Sequence, residues 1–138
     1  MILLDTDTGS LLASGNPKIA QQALAATDAV ATTVITRVEI LRARFAFLMK
    51  AADGAQLQRA QHWLDQSEAD LRKLPVVAID DASAAQFDKL RKQKKLKQIG
   101  RGNLLIASIA FASGALLVTR NLKHFRQVPN LKIENWAD

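Results

Sequence analysis

Apolar runs of strand length recur at Ile2-Leu3-Leu4, Ala29–Thr33, Pro75–Ile79 and Ala115–Thr119, and the stretches between them are spaced as helices. Strands alternating with helices predict βαβ units, because parallel neighbours need a long crossover and a helix supplies it. After the second run, Val38, Leu41, Phe45 and Leu48 form a helical apolar stripe. A second helix is predicted over Ala55–Leu71, with Leu57, Trp63, Leu64 and Leu71 as its apolar positions. A third is expected to open at Asp81–Ser83 and to run on into the basic segment that follows. Leu104–Ala112 is apolar on every side, which predicts a helix buried against the sheet. Gly114 then reads as its C-terminal cap, directly before the fourth strand. A short helix over Asn121–Phe125 and a short edge strand at Leu131–Ile133 complete the pattern, and Gly100-Arg101-Gly102 is its most flexible part.

The 138 residues fit one α/β domain over 1–138, large enough to bury a core without staples. Cysteine is absent, so disulfides, thiolate metal sites and a cysteine nucleophile are excluded. The early apolar run is broken by Asp5 and Asp7, and no stretch reaches the roughly 18 apolar residues of a membrane span. A cytoplasmic protein without a membrane partner is expected. The net charge of +6 favours polyanionic or acidic partners. Much of it is concentrated in Lys89, Arg91, Lys92, Lys94, Lys95, Lys97 and Arg101, either a solvated face or a surface for nucleic acid or an acidic segment.

The polar residues with most chemical promise stand at predicted element tips. Asp5 follows the first strand directly, at the C-terminal edge where parallel sheets keep their sites. Glu39 follows the second strand and is expected in the first turn of the next helix, facing the same edge. Two carboxylates brought together would repel unless a cation lay between them, and Mg²⁺ takes such oxygen ligands. Thr36-Arg37-Val38-Glu39 also reads as a capping box, which would occupy Glu39 with its own helix. Asn103 is suited to cap the buried helix. Thr119 and Asn121 end the fourth strand, as a turn and a cap or as ligands. Asp80-Asp81 reads as a helix start, and His62 and His124 as structural or solvated.

Four stretches together resemble the PIN-domain nucleases, and more closely the VapC-type ribonuclease toxins of toxin–antitoxin pairs. They are Ile2–Thr6, Thr36–Leu41, Ile99–Ala107 and Leu117–Phe125, with a similar tail at Val128–Leu131 and Trp136. The resemblance implies an α/β/α sandwich around a central parallel sheet, with acids at one edge holding Mg²⁺ or Mn²⁺. Carried across, Asp5 is the first acid and Glu39 the second. Asn103 stands where the third acid belongs, Asn121 at the fourth, more variable position, and Thr119 is the nearby hydroxyl. Asp7 replaces a frequent asparagine and would offset part of the missing charge. Asn103 reads either as a change made to silence a toxic nuclease or as a natural departure, and the intact surroundings favour the former.

The resemblance further implies cleavage of RNA phosphodiesters by metal-activated water. Arg101, Arg120, Lys94 and Lys95 are the RNA-binding candidates. The implied partners are an RNA substrate, a cognate antitoxin and a second copy of the chain. Two alternatives stay open: an RNA- or antitoxin-binding module whose catalysis has lapsed, and a haloacid-dehalogenase-type phosphatase suggested by Asp5-Thr6-Asp7-Thr8.

Overall fold

The computed structural model describes residues 1–138. Five strands, β1 (Ile2–Leu4), β2 (Val30–Thr33), β3 (Val76–Val77), β4 (Leu116–Val118) and β5 (Lys132–Glu134), form one sheet in the order β3-β2-β1-β4-β5, all parallel. Helices α1 (Thr6–Ala13) and α2 (Pro17–Ala25) connect β1 to β2, and α3 (Val34–Met49) and α4 (Gly54–Leu71) connect β2 to β3. Between β3 and β4 lie α5 (Asp81–Leu90), a 3₁₀ segment (Lys94–Ile99) and α6 (Arg101–Ala112), and α7 (Leu122–Phe125) precedes β5.

Alternation along three-residue strands gives the sheet two buried faces. Leu3, Ala31 and Leu117 pack with Ile106, Ile109 and Phe125, whereas Ile2, Leu4 and Val118 pack with Ile19 and Trp136 on the other side. Both faces being covered is the arrangement that all-parallel sheets require. The chain winds outward from β1 to β3 and then crosses back to β4 on the opposite side of β1. A crevice therefore opens between the C-terminal ends of β1 and β4, the switch point at which such sheets bind ligands.

Several sequence expectations change in three dimensions. The third helix stops at Leu90; the basic run continues as the 3₁₀ segment because Leu90, Leu96 and Ile99 must all reach the core while their charged neighbours stay in water. The apolar stripe of α3 is not its buried face, and Leu41 and Leu48 are only partly covered. Val38 and Phe45 are more than half exposed, and the buried positions are Thr36, Ile40 and Arg44. Arg44 is enclosed because its guanidinium lies 3.8 Å from the Trp63 ring centre and bonds to Ser67 Oγ and Ser10 Oγ. The buried helix α6 does end as expected: Gly114 at φ +62 lets Ala115 N–H reach Ala110 O and Gly114 N–H reach Phe111 O, closing the last carbonyls.

Candidate metal centre

Asp5 leaves β1 and becomes the N-cap of α1, its Oδ1 accepting from Thr8 N–H at 2.9 Å. Its other oxygen, Oδ2, accepts from Thr119 Oγ1 at 2.6 Å, a bond from the end of β4 across the switch point. Only 4% of Asp5 is exposed. Burial pushes its carboxyl above the usual carboxylate range, against the opposing pull of the Thr119 and Thr8 hydrogen bonds.

Glu39 reaches the same edge by another route. Thr33, not Thr36, caps α3, its hydroxyl accepting from Thr36 N–H at 3.0 Å. The helix thus begins three residues earlier than the predicted capping box requires. Glu39 lies in the second turn, too far from the cap to be held by it. Its Oε1 instead accepts from Thr6 Oγ1 at 2.6 Å, and its Oε2 lies against Gly102 in the first turn of α6.

Asn103 is not the cap of α6 either. Gly100 holds that position at φ +87 with no side-chain bond, and Asn103 sits inside the first turn, its Nδ2 donating to Ile99 O at 2.8 Å. An amide whose nitrogen is turned back on the chain points its oxygen elsewhere, and Asn103 Oδ1 accepts no protein hydrogen bond. Asn121 flanks the other side. Its backbone N–H bonds to Thr119 Oγ1 at 2.9 Å, and its Nδ2 contacts His124 Nδ1 at 2.9 Å, so the amide is oriented by His124 and does not cap α7.

Hydrogen bonds therefore run from Asn121 through Thr119 to Asp5, and from Thr6, the next residue in the chain, to Glu39, whose carboxylate lies against Gly102; together they join the ends of β1 and β4 to α3 and α6. None of the chain's ion pairs involves Asp5 or Glu39. Hydroxyl groups hold both carboxylates where cationic side chains would otherwise be expected.

No three His, Cys, Asp or Glu side chains gather here. Asp7 stays exposed on α1 and does not restore the missing charge to a three-acid cluster. The oxygen set of Asp5, Glu39, Asn103 and Asn121 nevertheless fits a hard divalent ion, which needs only one or two carboxylates and keeps several waters.

The basic candidates divide. Lys94, Lys95 and Arg101 are exposed and free of ion pairs, with Arg101 lying 5.2 Å from the Phe87 ring centre. Arg120 is paired with Asp138 at 3.4 Å, which turns it toward the C-terminus. Sequence reasoning missed the work of Thr6 and Gly102. Their proximity to Asp5 and Asn103 in the chain was the available signal, but what they hold is Glu39, more than thirty residues from either.

Comparison with known proteins bears on the fold and the family. The PIN domain family model matches residues 2–131. Ribonuclease VapC2 of Rickettsia felis is 40% identical over 76 residues, a stretch covering 52% of this chain and 57% of that protein. The match to this curated relative thus spans little more than half its length. The crystal structure of VapBC2 from Rickettsia felis, bound to a DNA fragment from their promoter, superposes with a TM-score of 0.74 at 28% identity over 99% of both chains. VapBC-5 of Mycobacterium tuberculosis, a member of the VapBC family of toxin–antitoxin systems, superposes with a TM-score of 0.55 at 26% identity over 96% of this chain and 94% of that one. With the family model covering nearly the whole sequence and the acidic edge built as described, the chain belongs to the PIN domain family.

Proposed function

We propose that this chain is a divalent-metal-dependent endoribonuclease toxin of a toxin–antitoxin pair. The observation that carries the reading is the pair of carboxylates, Asp5 and Glu39, brought from separate elements to the switch-point edge and held there by hydroxyls with no cationic partner. Asp5 and Asn103 would ligate the ion, Mg²⁺ or Mn²⁺, with Glu39 and Asn121 acting through its waters. A bound divalent ion supplies a water of lowered pKa and polarises the phosphodiester to be cut. The protein's part is positional. Thr119 and Thr8 fix the Asp5 carboxylate, Thr6 fixes Glu39, and Lys94, Lys95 and Arg101 attract the RNA backbone beside the N-terminus of α6. Arg120 would join them only by releasing Asp138.

Asn103 keeps an oxygen but lacks the charge that draws in the ion. Asn103→Asp should raise Mg²⁺-dependent cleavage of structured RNA by about a hundredfold or more, since even indirect partners of a metal site are worth roughly 10- to 100-fold. Equal cleavage by both chains would refute the site assignment. A second reading, a binding module without catalysis, is favoured by Asn103 alone. It requires RNA or antitoxin to bind equally well with and without Mg²⁺ and the Asp variant to stay inert. The phosphatase alternative is not favoured, because its likeness ends at Thr8 and the PIN model spans residues 2–131.

The antitoxin partner and a homodimer belong to the same proposal. Support for the antitoxin comes from the outward stripe of α3, where Val38 and Leu41 line a groove of about 510 Å³ with Leu71 and Leu74, rimmed by Arg37 and by Arg72 paired with Glu68. An apolar floor whose rim carries one unpaired cation, Arg37, suits an amphipathic segment with an acidic residue. No helix is long and apolar enough to cross a membrane.

A further inference from the structure

Helix geometry does not explain the glycine at the second position of α6. Gly102 has an ordinary helical backbone, unlike Gly100 at φ +87, and alanine would be the better helix former there. A Cβ on Gly102 would, however, stand 3.1 Å from Glu39 Oε2, 3.5 Å from its Cδ and 3.6 Å from Oε1. On its other flank the carboxylate is held by Thr6 Oγ1 at 2.6 Å. A new methyl group therefore requires Glu39 Oε2 to give by a few tenths of an ångström, a movement that works against the Thr6 bond on the other flank. The first turn of α6 has no side-chain cap, so its free N–H groups present the positive end of the helix at the point where the carboxylate arrives.

We propose that Gly102 is a positioning residue for Glu39: its bare Cα lets the N-terminus of α6 close on the carboxylate, so that α3 and α6 aim their oxygen atoms at one cation. This rests on the metal-dependent reading above. A side chain at this position would press on Glu39 Oε2 and shift the carboxylate from its place against the first turn of α6.

The test is Mn²⁺ affinity without RNA, read from the electron paramagnetic resonance of free Mn²⁺, together with the melting midpoint of each chain. Gly102→Ala should melt at or above the parent yet bind Mn²⁺ about fivefold more weakly or worse, in line with other partners that orient a metal ligand. Glu39→Asp shortens the side chain by one methylene and moves its carboxylate clear of the new Cβ. The double variant should therefore bind no more weakly than Glu39→Asp alone. Parent-like affinity in Gly102→Ala overturns the proposal, as do losses that simply multiply in the double variant, and both leave the metal site standing. A parent chain that binds no Mn²⁺ overturns the metal reading and this inference with it. Should Gly102→Ala melt far below the parent, Gly102→Ala in a Glu39→Ala background decides the cause. Melting above Glu39→Ala places the clash on Glu39, as proposed, whereas failure to fold in both backgrounds makes Gly102 a packing residue and overturns it.

Discussion

Asp5 is the residue at which stability and chemistry pull apart. It is 4% exposed with no cationic neighbour, and burial raises its pKa, so ionising it costs the folded chain stability. The sign of the resulting pH dependence follows. A carboxyl whose folded pKa is raised binds its proton more tightly in the native state, so stability is fully present below the unfolded pKa and is lost as pH rises through the folded one. Asp5→Asn keeps the shape and can still accept from Thr8 N–H. It should be more stable than the parent in urea at neutral pH, with the gap closing as pH falls into the ordinary carboxylate range. Saturating Mg²⁺ should also narrow the gap, since it stabilises only the chain that binds it. A gap that is absent at neutral pH, or that widens on acidification, would contradict this account of Asp5.

At the scale of elements, the site depends on where two helices begin. Thr33 caps α3 three residues before the point at which the sequence suggests a capping box, and this moves Glu39 off its own helix end and into the crevice. Thr33→Ala removes the acceptor for Thr36 N–H and should cost about 1 kcal/mol in urea unfolding. The denaturant slope should be unchanged if only the cap is lost. Thr33 also donates to Thr36 Oγ1 at 3.2 Å, inside the packed start of α3, so the substitution removes a second bond with the cap. A change below a few tenths of a kcal/mol would mean that packing alone sets the helix start. The start of α6 is different in kind. Gly100 gives it no side-chain cap, and the Asn103 side chain bonds back to Ile99 O, so no side chain of its own caps the first turn.

The whole molecule presents two surfaces that its fold does not use. The backbone of the cationic run from Lys89 to Arg101 is pinned by the buried Leu90, Leu96 and Ile99, while its basic side chains stay exposed. On α3, Val38, Phe45 and Met49 are 52%, 54% and 64% exposed, an apolar stripe with Arg37 and Arg42 beside it. An apolar face of this kind marks a docking surface more often than a defect. Phe45→Asp, set into the stripe away from the acidic edge, should weaken binding of the neighbouring gene's product at least about tenfold, as loss of a buried aromatic anchor does. Metal affinity should not change. Undiminished binding, measured by calorimetry, would move the antitoxin surface elsewhere.

The strands, the parallel sheet, the buried α6 and its Gly114 stop were legible in the sequence, because each follows from periodicity and turn chemistry within a few neighbouring residues. Asp5 and Glu39 were legible as acids at element tips, and resemblance identified Asn103 as the missing third. The sequence could not decide which face of α3 would turn inward. Its apolar stripe and its buried face of Thr36, Ile40 and Arg44 are both helical in spacing, and only packing against α1 and α4 chose between them. Nor could it reveal that Thr6 and Gly102 would hold Glu39, or that Thr119 would hold Asp5 from 114 residues away. Local propensity acts over a turn or two of chain. The grip on Asp5 exists only after β4 has crossed the sheet to lie beside β1, and that on Glu39 only after α1 has packed on α3, because closing the fold is what brings the hydroxyl donors within bonding distance.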